Sequence, residues 1–160
     1  QIPVKVFSFC NERTYTIFNI FRDYGETNKN DKIFNYYSSG SNRDGLAIRT
    51  ALYMMKNSQY ENKILIILSD GVPNDTQGIS SGKFNQLHYE YNDTPGVNDT
   101  AFEVRKGLRD GVSILCVYTG LDENINKAKK MYGRNFAYIK SQERFADIVG
   151  ILIQNELKAM

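Results

Sequence analysis

Two short segments of the chain concentrate oxygen-bearing side chains. Gly40 to Gly45 (GSNRDG) carries Ser41, Asn42 and Asp44, and Ser69-Asp70-Gly71 closes an apolar run. Hydroxyl, amide and carboxylate oxygens without sulfur form a hard donor set. Such a set suits Mg²⁺, Mn²⁺ or Ca²⁺ and not zinc. The single histidine, His88, has no second His or Cys nearby to build a zinc site. Ser-Asp-Gly is also ordinary turn chemistry, so cation binding depends on the two segments meeting in space.

The elements that flank them make that meeting plausible. Ile64 to Leu68 is an unbroken apolar run, too short for a helix and bounded by polar residues. It reads as a strand buried on both faces, as in the middle of a parallel sheet. Asp70 then stands just past the carboxyl end of a central strand, where open α/β sheets bind ligands. Gly71 permits a sharp turn, and Pro73 stops the strand. GSNRDG leads into a helix over Asp44 to Lys56, whose Ala47, Ile48, Ala51, Leu52 and Met55 form one apolar stripe. Met54 and Met55 read as core filler. Both oxygen-rich segments are therefore expected at the carboxyl edge of the sheet.

The remaining chain supplies the other layers. Ile2 to Phe9 and Arg13 to Ile20 read as a hairpin around a Cys10 to Glu12 turn, with the second strand at a sheet edge. A short helix is expected near Lys32 to Tyr37. Asp70 to Val97 has no clear period, as functional loops often do not. Thr100-Ala-Phe-Glu103 has the form of a capping box, which predicts a helix start at Thr100. Gly111 closes that helix, and Val112 to Thr119 is a second continuous apolar strand. Asp122 to Tyr132 is expected helical, with acids first and lysines last. Phe136 to Ile139 is a short strand, and Ser141 caps a final amphipathic helix reaching about Lys158. Regular alternation in the second half predicts a three-layer α/β sandwich with a mostly parallel sheet and one antiparallel edge strand. All 160 residues suit a single domain.

Composition narrows the function classes. Apolar content is 41% and charged content 24%, as in folded domains, and the net charge is only +2 without a long basic run. Lys127, Lys129 and Lys130 fall in a helix C-terminal turn, so nucleic acid is not an expected partner. No segment approaches the length of a membrane span, and a cytoplasmic location without a membrane partner is expected. Cys10 and Cys116 read as small buried residues rather than a disulfide. Asn-x-Thr triplets at Asn74, Asn92 and Asn98 would matter only in a secreted protein. Gly78 to Lys83 (GISSGK) fails as a phosphate loop: it is one residue short, and Phe84 replaces the needed Ser or Thr.

The order of elements, N-R-D-G-x-A-I and I-L-S-D-G together resemble a von Willebrand factor A (VWA) domain. With S-D-G-x-P-N-D, H-Y-E (His88 to Glu90) and N-D-T added, the chain is similar to the nitric oxide reductase activation proteins of the NorD type. Cobaltochelatase subunits of the CobT type share part of this pattern. The resemblance implies a Rossmann-like VWA sandwich and a metal-ion-dependent adhesion site (MIDAS). It assigns Asp70 to the third metal-binding motif and Asn42 to the position of a metal-binding Thr, with Asp44 two residues later and Ser41 beside them. It also implies an AAA+ ATPase partner and a role in activating, or inserting metal into, a target metalloenzyme. The Asp-x-Ser-x-Ser motif of that family is missing. The family's first strand and helix are not found, so the domain is expected to be N-terminally incomplete, with a slot between the hairpin and Ile64 to Leu68.

The leading expectation is thus a non-catalytic protein-binding module, not an enzyme. A Mg²⁺ ion (or Mn²⁺ or Ca²⁺), bound weakly through Asp70, Asn42, Asp44 and Ser41, would leave a position open for an acidic residue of the partner. The alternatives are a structural interaction domain with a vestigial, metal-free site, and a metal-dependent hydrolase in which His88 acts as a base.

Overall fold

A computed structural model describes residues 2–12, 15–26, 30–76, 91–140 and 142–159. The chain opens with strands β1 (Val6–Glu12) and β2 (Tyr15–Arg22), paired antiparallel with Phe9 opposite Phe18 and Asn11 opposite Thr16. The Phe7 and Phe18 rings meet at 5.3 Å between centroids. The expected turn at Cys10 to Glu12 is instead the end of β1. Asn11 is buried and exchanges main-chain hydrogen bonds with Ser41 at 2.6 and 3.1 Å. That second partner holds the strand extended past the point where its turn-forming residues alone would end it.

Asp31–Asn35 forms one short 3-10 segment, and helix α1 spans Asp44–Lys56 as its apolar stripe predicts. Strand β3 (Lys63–Ser69) follows, then helix α2 (Asp93–Arg109) and strand β4 (Val112–Tyr118). A 3-10 turn, Asp122–Asn124, leads into helix α3 (Ile125–Tyr132), and strand β5 is Phe136–Tyr138. A second 3-10 turn, Gln142–Arg144, precedes helix α4 (Phe145–Ala159). The expected cap, Ser141, lies outside the described residues.

The start of α2 corrects the capping-box reading. The helix begins at Asp93, and Thr100 lies inside it, donating its hydroxyl to the Gly96 carbonyl at 2.8 Å. Glu103 does not reach back to a cap; it is buried and bonds Arg49 at 2.8 Å. Thr100 and Glu103 serve tertiary packing, which local pattern alone does not reveal.

β3, β4 and β5 make one parallel sheet in the order β3-β4-β5. Every residue of β4 except Ser113 is buried, as its continuous apolar sequence requires. Ile114, Cys116 and Tyr118 point to the side covered by α1, α2 and α3, where they join Leu65, Ile67, Ile48, Val104 and Met131 in one cluster. Leu115 and Val117 alternate to the other side and are also buried; α4 packs against β4.

The antiparallel strand does not sit on the edge of that sheet. The β1–β2 pair is a separate two-stranded sheet. Among the described residues it meets the segment before α1 through the bridge from Asn11 to Ser41, the loop after β3 through the Asn11 amide on Asp75, and the main core through Phe7. The parallel sheet is correspondingly less covered at β3, where Leu68 is 57% exposed.

Burial at the two strands predicts opposite mutational costs. Ile114→Ala should lower stability by about 2–5 kcal/mol, the usual cost of truncating a fully buried aliphatic side chain. Leu68→Ala should change it by about 0.5 kcal/mol or less. Urea unfolding of both variants checks the contrast, and equal losses would contradict the assignment of the core.

Candidate metal centre

Both oxygen-rich segments do meet. Asp44 is the first residue of α1, placed there because Asn42 is clamped beforehand. Asn42 and Asn74 exchange main-chain hydrogen bonds at 2.9 and 3.1 Å, tying the start of α1 to the loop after β3. The same loop brings Ser69 and Asp70 alongside. Ser69 donates to Asp44 Oδ2 at 3.4 Å, and Asn42 donates through Nδ2 to Asp44 Oδ1 at 2.7 Å. The turn at Gly71 has φ of +74°, and a side chain there would press on the Tyr118 ring. A left-handed residue without Cβ is therefore required. Within this turn Ser69 Oγ accepts the Gly71 amide at 3.0 Å, and Asp70 Oδ1 accepts the Val72 amide at 3.0 Å.

Asp44 is the unusual group. Its carboxylate is 2% exposed. Its two hydrogen-bond partners are neutral, and among the described residues no Lys or Arg pairs with it. Burial pushes its carboxyl up to about 6; the bonds from Asn42 and Ser69 oppose the shift, and the charge of Asp70 adds to it. Tyr132, at the end of α3, is buried in the main core. Its hydroxyl is buried without a well-formed hydrogen bond among the described residues. Burial first, then the Asp44 charge, holds its phenol well above the ordinary value.

Each expected ligand can now be placed. Asp44 and Asp70 come together with Ser69. Asn42 is present but turned the other way: its nitrogen faces Asp44 and the Val72 carbonyl, and its oxygen accepts the Asn74 amide at 3.2 Å. To offer an oxygen to an ion, the Asn42 amide would have to turn over and give up these bonds. Ser41 is engaged by its main chain with Asn11, and its hydroxyl takes no part in the bonds around Asp44. His88, the proposed base, lies outside the described residues, as do His88 to Glu90 and Gly78 to Lys83. Among the described residues no group of three or more His, Cys, Asp or Glu is gathered so that it could hold a metal ion.

The sequence reading passed over a scaffold beside the site. Asp75, 1% exposed, takes the Arg43 guanidinium at 2.5 Å and the Asn11 amide at 3.3 Å. Arg43 lies over the Tyr91 ring at 5.1 Å. Tyr91 donates its hydroxyl to Asp99 and accepts the Gly45 amide at 3.0 Å. A Cβ on Gly45 would collide with the Asp99 carboxylate. Residues from the hairpin, the start of α1, the loop after β3 and α2 are thereby locked around Asp44. Only the clustering of Asn, Asp and Arg in these loops signalled it in advance.

No family model, curated protein or solved structure matches the chain. No described helix is long and apolar enough to cross a membrane.

Asp44 gives a pH-dependent stability with a definite sign. Its carboxyl rises from the ordinary 3.8 to about 6 on folding, so between these values the folded chain holds more protons than the unfolded one. Stability in chelator should therefore fall as pH rises through that window and stay lower above it, by at most about 3 kcal/mol. Asp44→Asn should lack this component. Urea unfolding at pH 4.5 and 7.5 compares the two proteins; parallel pH dependence would contradict the assignment. A second expectation concerns the clamp. Arg43→Ala should destabilise the chain by about 3 kcal/mol, because it removes a close charged partner of a buried carboxylate. Unchanged thermal unfolding would show that the pair does not anchor the loops.

Proposed function

We propose that the chain is a VWA-like, three-layer α/β module that binds a protein partner through a divalent cation and performs no catalysis itself. One observation carries this reading. The buried Asp44 carboxylate faces Asp70 and Ser69 with only neutral hydrogen-bond donors and no cationic side chain among the described residues. Proteins seldom leave a buried carboxylate without a cation.

The donor chemistry fits Mg²⁺ or Mn²⁺ for Asp44, Asp70 and Ser69, all hard oxygens. Asn42 serves better as the group that aims Asp44 than as a ligand, given its amide orientation. A bound ion would supply a Lewis-acidic centre with an exchangeable position, to which a partner's Asp or Glu could add. Asp70 is exposed while Asp44 is buried, so one carboxylate stands at the rim and the other at the base. Such an arrangement suits docking of a partner side chain from outside. The resemblance to activation proteins of the NorD and CobT types names the class of partner: an AAA+ ATPase acting on a target metalloenzyme.

A second reading has its own support. Asn42 already donates to Asp44, as a group substituting for a lost ion would. In that case the module is a metal-free interaction domain with a vestigial site.

Titration calorimetry with MgCl₂ and MnCl₂ decides between the two. The cation reading expects saturable binding that Asp70→Ala abolishes, and capture of the ATPase in Mg²⁺ that EDTA releases. No heat of binding, with capture equal in EDTA, would leave the metal-free reading.

A further inference from the structure

We propose that the groove between α2 and α3 docks an acidic segment of a partner protein. One apolar side chain enters beside Leu108, and flanking carboxylates pair with Arg105, Lys130 and Arg134. No ion takes part, so this surface stands apart from the cation site.

The groove has a volume of about 240 Å³ and lies between the second half of α2 and the end of α3. Its lining combines Val104 and Met131, each 1% exposed and part of the main core, with Leu108, which is 38% exposed. The hollow thus leads from the surface down to the apolar core. A dry cavity of about 150 Å³ takes benzene, so this one has room for a leucine or phenylalanine side chain. Burial there would withdraw that side chain from water against residues already packed.

Arg105, Lys130 and Arg134 also line the groove, and all three are exposed. None of them has an ion pair or a side-chain hydrogen bond among the described residues. Nearby cations do find acids: Lys127 bonds Asp93 at 2.6 Å and Lys140 reaches Asp122 at 3.4 Å. The helix dipole favours Lys130, in the last turn of α3. It gives no reason for Arg105, which precedes the last turn of α2, or for cations of two elements gathering at one hollow. Like charges around an apolar base suit a ligand that is anionic at its flanks and apolar at its centre. A peptide with one large apolar residue between Asp and Glu has that form. Single-stranded nucleic acid fits less well, because the lining offers no exposed aromatic ring on which a base could stack.

Fluorescence anisotropy in EDTA tests this with a fluorescein-labelled peptide, Asp-Glu-Asp-Phe-Asp-Glu-Asp. Saturable binding with a Kd below about 1 mM is expected. Affinity should fall at least about threefold as NaCl rises from about 50 to about 300 mM. Exchanging Phe for Ser in the peptide should weaken binding about tenfold. Combining Arg105→Ala with Lys130→Ala should also weaken it about tenfold. Because both side chains are exposed, the unfolding midpoint of that variant should match wild type. Absence of saturable binding, full affinity for the Ser peptide, or an unaltered Kd in the double variant would each overturn the proposal. Equal or tighter binding of labelled oligothymidylate would overturn it by revealing a general anion surface. Self-association in sedimentation, removed by the double variant, would overturn it in favour of a second copy of the chain.

Discussion

A carboxylate buried at the first turn of a helix, with only an amide and a hydroxyl among the described residues to receive it, is the constraint that organises this molecule. Asp44 gains from the partial positive charge at the start of α1. That gain, together with the bonds from Asn42 and Ser69, does not offset its removal from water: its carboxyl remains shifted up to about 6. The surrounding loops are shaped to keep it there. The Asn42–Asn74 bridge sets the approach of two chain segments, and the Arg43–Asp75 pair with Tyr91 holds them from behind. Gly45 and Gly71 allow the backbone to come that close.

The sheet below gives the site its rigidity. β4 is buried along almost its whole length, and its Cys116 and Tyr118 lie under the β3 turn that carries Ser69 and Asp70. The hairpin contributes differently. It is a separate sheet that reaches the loops around Asp44 through Asn11, by way of Ser41 and Asp75, and the main core through Phe7. The site therefore joins a stiff parallel sheet to a smaller antiparallel one through a few hydrogen bonds. A change in either unit would be felt at Asp44.

Much of this was readable from residue order. Continuous apolar runs located β3 and β4, and a single stripe of Ala, Ile and Leu placed α1 at its observed ends. Period and hydrophobicity are strong where an element is buried along its length. They failed where a tertiary partner decided the outcome. Glu12 became strand because Asn11 found Ser41, and Thr100 became mid-helix because its hydroxyl could bond back to Gly96. The convergence of Asp44 with Asp70 followed from strand and helix ends. The orientation of the Asn42 amide did not, because it depends on the Asn74 amide, 32 residues away.

Paramagnetic broadening by Mn²⁺ in a ¹⁵N-labelled sample locates a bound ion most directly. If Asp44, Ser69 and Asp70 hold it, substoichiometric Mn²⁺ should erase the amide signals of Asp44, Gly45, Asp70 and Gly71 first, while those of the distant α4 persist. Uniform broadening, or loss centred on another acidic segment such as Asp122–Asn124, would contradict a cation site at the junction of α1 and β3.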